Sequence, residues 1–328
     1  METQPANKLA PRKMAAAGKK DLCMEKLHPF AHKNAIANSG EPDESATAMK
    51  IQKLNPARRP AMLGLPWFMR SQSPPPSINY SDRFLKKEAV AAYEAGEYGA
   101  GSYSSFIWDL QRPVLEKIVA DYRRTQSGPV RLLDFACGTG RVIASLEPLV
   151  DTAEGIDISE NMVEIARGKC RTARLHVGDI LTNPKMLQKQ YDIITGFRFL
   201  LNAEPELRIR VLERLREVLR EPDGLLVVNV HGNSRSFRHP AIVWRRWRGR
   251  ATKNGAMLNE MSPAETKQLL RESGFEIMRQ FGFGMLPPTF YRTPLRGAVA
   301  AADKFLAGDN GWSDCAIDLL FVCRPRGK

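Results

Sequence analysis

The chain has 328 residues, 43% of them hydrophobic, and a formal net charge of +13 from 49 basic and 36 acidic side chains. That is enough apolar material for a packed core in one large α/β domain with appendages, and it excludes wholesale disorder. No apolar run reaches the roughly 18–20 residues that span a bilayer, and no secretory leader is readable, so the expectation is a cytoplasmic protein with no transmembrane segment.

Residues 1–78 carry scattered Pro, Lys and Ala without sustained periodicity and end in Ser73-Pro74-Pro75-Pro76-Ser77. Such a composition buries little apolar surface, and it reads as a largely disordered basic tail. Its one apolar cluster, Met62-Leu63-Gly64-Leu65-Pro66-Trp67-Phe68-Met69, is suited to docking on the body of the protein or on a partner. Helical patterns run from Phe84 to Ala95 and from Phe106 to Tyr122, joined by a Gly/Tyr/Ser-rich connection that holds Tyr98 and Tyr103. After Arg131 short apolar runs alternate with amphipathic helices, the signature of βαβ units and a parallel sheet. The strands read are Arg131–Phe135, Ala153–Asp157, Arg174–His176, Tyr191–Thr195 and Leu225–Val230, with helices over Ser159–Lys169 and Leu207–Arg220. Ser262-Pro263-Ala264-Glu265 opens a further helix with three agreeing signals: a capping Ser, Pro in the first turn, and Glu at the capping-box position. Gly274 stops it. A strand over Phe275–Met278, a Gly/Pro-rich insertion with a helix near Leu295–Leu306, and a last apolar strand from about Ala316 to Cys323 complete the chain. The five cysteines, Cys23, Cys137, Cys170, Cys315 and Cys323, are irregularly spaced and suit reduced thiols; Cys315 and Cys323 read as one face of the last strand. No CxxC pair or His/Cys cluster suggests a metal.

The chemistry concentrates in Leu132-Leu133-Asp134-Phe135-Ala136-Cys137-Gly138-Thr139-Gly140-Arg141-Val142, a buried strand running into a glycine-rich turn and a helix. Glycines there let the backbone approach a ligand and open the helix N-terminus toward it. Asp157 ends the second strand about 20 residues later, where a carboxylate can accept both hydroxyls of a ribose. Asp179, in Val177-Gly178-Asp179-Ile180, ends the third. Acids ending three successive strands share the carboxyl edge of the sheet, where open α/β folds bind ligands. A nicotinamide dinucleotide is the rival ligand, but Gly138-Thr139-Gly140 is followed by Arg141, Val142 and Ile143, without the third glycine that a pyrophosphate site wants.

The runs LLDFACGTGRV, GIDISENMVEIAR, VGDI, YDIITGFRFLLN and PDGLLVVNV, in this order, resemble the motifs of class I S-adenosylmethionine-dependent methyltransferases. The resemblance covers residues 84–325, most specifically 131–230. It implies a doubly wound, mostly parallel seven-stranded sheet of Rossmann-like type with an antiparallel last strand, a methyltransferase domain over 79–328, and S-adenosyl-L-methionine as cofactor. Carried onto matching positions, Asp134, Gly138 and Gly140 would line the methionine part, Asp157 with its neighbour Ile158 the ribose, and Met162 the adenine. Asp179 and Ile180 would meet the adenine amine and ring, while Thr195, Gly196 and Phe197 would lie beside the methionine end and the acceptor. Tyr98 and Tyr103 precede the first strand, where related enzymes have a lid, and Tyr103 joins the cofactor set. Ala136 stands where the family more often has glycine. Gly196-Phe197-Arg198-Phe199 matches no signature tetrapeptide of amide or nucleic-acid base methylation.

Acceptor choice falls to two inserted segments, 231–260 and 282–312. His231, just after the fifth strand, is the candidate base, with His239 second. Between Asp223 and Glu260 there is no acidic residue, while Arg235, Arg238, Arg245, Arg246, Arg248, Arg250 and Lys253 all fall inside. Trp244 and Trp247 among these arginines suit a helix lying on an anionic membrane or equally RNA contact through 235–253. The second segment is apolar enough, with Phe281, Phe283, Met285, Leu286, Phe290 and Tyr291, to line a hydrophobic pocket. The expectation is methyl transfer to O or N of a small or lipid-like acceptor, by a cytoplasmic or peripheral membrane protein. The alternatives are an RNA or protein methyltransferase docking through 244–250 and a non-catalytic cofactor-binding subunit.

Overall fold

Both faces of a parallel sheet are covered, so its strands read as continuous apolar runs, and the runs after Arg131 pair into one sheet. The computed structural model describes residues 87–99, 101–187, 190–248, 260–286, 289–306 and 311–327. The tail read over 1–78, with its apolar cluster and Cys23, lies outside the described residues. The strands are β1 (Arg131–Phe135), β2 (Thr152–Asp157), β3 (Arg174–Val177), β4 (Ile193–Gly196), β5 (Leu225–Val230), β6 (Phe275–Phe283) and β7 (Asp318–Pro325). They form one seven-stranded sheet in the order β3-β2-β1-β4-β5-β7-β6. β1 to β5 are parallel, and β7 is antiparallel to both of its neighbours, β5 and β6. Strand order reverses between β1 and β4, and the crevice above that switch point is where such sheets bind ligands.

The helices are α1 (Lys87–Tyr98), α2 (Tyr103–Thr125), α3 (Arg141–Leu146), α4 (Glu160–Lys169), α5 (Pro205–Val218), α6 (His239–Trp247), α7 (Pro263–Glu272) and α8 (Arg296–Leu306). Alternate residues of each strand point to opposite faces, and two buried layers result. Leu133, Ile194, Leu226 and Phe321 pack with Leu212 and Leu215 of α5. Leu132, Ile193, Val227 and Leu320 pack with Leu115 and Val119 of α2 and Ile143 of α3. At the start of α7 the Ser262 hydroxyl accepts the Glu265 N–H at 3.1 Å, and the Glu265 carboxylate accepts the Ser262 N–H at 2.7 Å. Gly274 follows that helix at φ +83°, in the left-handed region.

Several boundaries differ from the sequence reading, and three differences bear on the motifs. α2 starts at Tyr103 rather than near Phe106, because Ser102 caps it, its side chain accepting the Ser105 N–H at 3.1 Å. β6 continues to Phe283, past both Met278 and the expected insertion start at 282, because the register shifts between Ile277 and Arg279. A bulge of this kind breaks the alternation that marks a strand. Cys315 lies in the short turn Ser313–Cys315, ahead of β7, so it does not share a strand face with the fully buried Cys323. No helix among the described residues is long and apolar enough to cross a membrane.

Candidate functional site

β1 delivers the chain to the switch point, and the turn after it is left-handed at three positions: Ala136 (φ 53°), Gly138 (φ 53°) and Gly140 (φ 79°). An alanine in that region carries strain of roughly 1–2 kcal/mol, and it occupies the position where the family more often has glycine. The two glycines do different work. A Cβ on Gly138 would meet only the Met162 Sδ, at 4.0 Å, so its absence leaves the cleft floor open. A Cβ on Gly140 would come within 2.7 Å of the Ala166 Cβ, so this glycine serves the close approach of α3 to α4. The loop is held from β2: one Asp157 oxygen accepts the Gly138 N–H at 2.8 Å and the other the Ser159 N–H at 2.9 Å. Burial pushes the Asp157 carboxyl above the usual carboxylate range, and these backbone donors oppose the shift.

A cleft with about 700 Å³ of empty space, its open mouth included, lies over this turn. Asp134, Ala136, Gly138, Asp157, Ile158, Met162 and Phe197 line it as the sequence predicts. Asp134 is the chemically distinctive member. It is 1% exposed, its Oδ1 accepts the Thr195 hydroxyl at 2.6 Å, and its Oδ2 is buried with no hydrogen-bond partner. Burial raises its pKa to about 7, with the Thr195 hydroxyl and the Ile143 backbone N–H pulling the other way. A buried carboxylate oxygen without a partner calls for a donor. A cationic ammonium fits it, an open glycine cradle beside it accepts a ribose near Asp157, and Met162 offers a flat apolar contact. These residues fit S-adenosylmethionine.

Sequence reasoning missed several lining residues: Tyr93 from α1, Thr139, Arg141, Arg198 and Asn202. The Arg141 guanidinium lies 4.7 Å from the centre of the Trp108 ring, which meets Phe197 edge-on at 6.2 Å. Arg198 sits at φ 57° and donates to the Ser104 hydroxyl at 2.8 Å, joining the loop after β4 to α2. Nothing local in Gly196-Phe197-Arg198 distinguishes such an arginine from a solvated one.

Other expected residues stand away from the cleft lining. Tyr103 packs edge-on against Tyr291 at 5.6 Å, its hydroxyl buried beside Gly284, so Tyr93 rather than Tyr103 faces the cleft. The side chain of Tyr98 lies outside the described residues. Thr195 supports Asp134 from behind, and Gly196 approaches Val228 of β5. Asp179 accepts the Leu181 N–H of its own loop at 2.8 Å, and Ile180 is a core residue, 1% exposed. His239 Nδ1 lies 3.0 Å from the Glu260 carboxylate, at the start of α6. His231 follows β5 directly, half-buried. Val230 pairs with Leu319 of β7, so His231 after β5 and Asp318 at the start of β7 lie at the same edge of the sheet. Asp318 is buried and accepts the Asn229 amide at 3.0 Å and the Gln111 amide at 3.4 Å, both on Oδ1. Burial raises its pKa, and Arg198 opposes this. Among the described residues no cluster of His, Cys, Asp and Glu could hold a metal ion.

A doubly wound sheet with a glycine cradle, a buried acid and a half-buried acid above its switch point defines a nucleoside-binding α/β protein. Residues 107–280, just over half of the chain, match the family described as Methyltransferase domain. The chain belongs to that family, the class I S-adenosylmethionine-dependent methyltransferases. A Geobacillus sp. protein named as a methyltransferase is 33% identical over 129 residues, 38% of this chain and 51% of its own. A Streptomyces fradiae dTDP-3-amino-3,6-dideoxy-alpha-D-glucopyranose N,N-dimethyltransferase is 40% identical over 156 residues, 47% of this chain and 55% of its own. The matches thus span about half the length of these curated relatives. Magnesium protoporphyrin IX methyltransferase of Synechocystis, solved with bound SAH, shares the fold: TM-score 0.50 at 15% identity, covering 75% of this chain and 97% of that one.

Proposed function

We propose that this protein transfers the methyl group of S-adenosylmethionine to an oxygen or nitrogen of a small, hydrophobic or lipid-like acceptor. The observation that carries the reading is the carboxyl edge beside the cleft, where His231 follows β5 and Asp318 opens β7 opposite Phe283 of β6. Phe281, Phe283 and Tyr291 are buried in β6 and the segment after it, and the Asp318 carboxylate is held by the Asn229 and Gln111 amides on Oδ1. An apolar surround with few polar groups suits a small acceptor held by one N–H or O–H.

The cofactor supplies a methyl group already activated on a sulfonium. The chain's work is to hold acceptor and cofactor close and aligned. Asp134 would take the ammonium on its buried, unpartnered oxygen and Asp157 the ribose hydroxyls, with Phe197 and Arg198 lining the same cleft. A base is needed only where the acceptor loses a proton, as a hydroxyl does; His231, at the same carboxyl edge, fills that role. The names of two sets of relatives support a small acceptor: the sugar-nucleotide enzyme above, and a Leptospira interrogans demethylmenaquinone methyltransferase, 32% identical over 104 residues, 41% of its own length.

The test is incubation with methyl-labelled S-adenosylmethionine and cell extract, followed by separation into organic-soluble, aqueous small-molecule, RNA and protein fractions. Label is expected in the organic-soluble or small-molecule fraction, and Asp157→Ala should weaken cofactor binding at least tenfold, lowering the label in proportion when cofactor is limiting. Label confined to RNA or protein would overturn the acceptor class. Tight cofactor binding with label nowhere would make the chain a cofactor-binding subunit.

A further inference from the structure

Large hydrophobic side chains exposed to solvent are concentrated in this molecule. Among the described residues all but Val177, Ile209 and Met278 lie in two segments, one after β5 and one between β6 and β7. Because β7 is antiparallel to both neighbours, β5 and β6 end at the same edge of the sheet, the carboxyl edge that carries the cleft. The two segments are also tied together at their base. The buried Asn233 amide donates to the carbonyls of Asp314 at 2.7 Å and Ala316 at 2.8 Å, and Arg235 pairs with Asp314 at 3.9 Å. From this joined base the apolar groups stand out into water: Phe237 is 65% exposed, Trp247 78%, Leu295 68%, Phe305 87% and Trp312 67%.

The same rim carries cations. Among the described side chains its first segment has Arg235, Arg238 and Arg248, and no acid lies between Asp223 and Glu260 in sequence. Among the described residues the bordering acids Glu260, Asp303 and Asp314 already have partners. Glu260 meets His239 at 3.0 Å, Asp303 accepts the N–H groups of Gly284 and Met285, and Asp314 takes Lys267 and Gln280. The Arg248 guanidinium lies over the Trp244 ring at 4.1 Å, holding a cation at the level of an exposed indole.

We propose that this rim is a docking surface for an anionic membrane, its aromatic rings entering the boundary between headgroups and acyl chains while its arginines meet lipid phosphates. Lipid is favoured over nucleic acid by Val243 (46% exposed) and Leu295, aliphatic surface that a bilayer buries and a polyanion leaves in water. The inference deepens the proposed acceptor class and rests on it for its purpose: a lipid-like acceptor would enter the carboxyl edge from the membrane it dissolves in. The contact itself is separately measurable.

Flotation of the full chain with phosphatidylcholine vesicles, with and without phosphatidylglycerol, tests it. Binding is expected to the anionic vesicles alone at low salt, with a blue shift of tryptophan emission. The pairs Trp247→Ser with Phe305→Ser, and Arg235→Gln with Arg248→Gln, should each weaken it about tenfold, with melting temperature and S-adenosylmethionine affinity unchanged. Absence of vesicle binding, or binding that both variants retain, would overturn the docking surface. So would retention on RNA, lost in the arginine pair, with vesicles unbound. Intact cofactor binding in a protein that ignores vesicles overturns the docking surface alone, whereas loss of cofactor binding in the unaltered chain would overturn the proposed activity instead.

Discussion

Two carboxylates end the first two strands, and their surroundings give them different tasks. Asp157 has both oxygens occupied by backbone N–H groups and so shapes the loop as well as facing the cleft. Asp134 keeps one buried oxygen bare, with its pKa raised to about 7 by burial. A raised carboxyl pKa means that the folded state holds a proton which the unfolded chain, titrating near 3.9, gives up earlier. Its stabilising contribution is therefore complete below about pH 4 and lost as the pH rises through about 7. Binding a cationic ammonium reverses the preference and expels the proton. S-adenosylmethionine affinity should accordingly tighten as the pH rises from about 6 to about 8, and Asp134→Asn should flatten the profile. Calorimetry in buffers of different ionisation heat reads both affinity and proton release; no release by the unaltered protein would refute the assignment.

At the scale of elements, the glycine turn joins three of them. Gly140 looked like a cofactor residue in the sequence because the motif groups it with Gly138. In the fold its missing side chain admits the backbone and Cβ of Ala166 on α4. Gly140→Ala should therefore destabilise the protein by about 2 kcal/mol or more, left-handed strain and overpacking adding together. Urea denaturation measures this, and a cost under about 0.5 kcal/mol would show that α3 and α4 can separate freely. Other elements were readable for equally local reasons. The capping box before α7 was legible because both of its hydrogen bonds lie within one turn of sequence. The end of β6 was not legible, since the bulge near Met278 moves the apolar side chains off the alternating pattern.

At the scale of the whole molecule, function is distributed by the sheet order. The switch between β1 and β4 sets the cofactor cleft, and the antiparallel β7 brings the segments after β5 and β6 to the same edge. Asn233 is the joint between them, 1% exposed, with its amide on two carbonyls of the distant segment. Asn233→Ala would leave those carbonyls without a donor and should cost about 2 kcal/mol. It should also raise amide hydrogen exchange in both segments at once. Exchange confined to one of them would show that they move independently.

The amino-acid sequence by itself determined the α/β class, the glycine turn, the two strand-ending acids and so the cofactor, because each of these is written in contiguous residues with a fixed local conformation. Tertiary structure alone decided which of those residues reach the cleft. It replaced Tyr103 with Tyr93, turned Gly140 and Ile180 toward packing, and brought Arg198, Gln111 and Asp318 to the carboxyl edge from distant parts of the chain. A buried polar group reveals its role only through its neighbours, and neighbours that are far apart in sequence are set by the order of the strands.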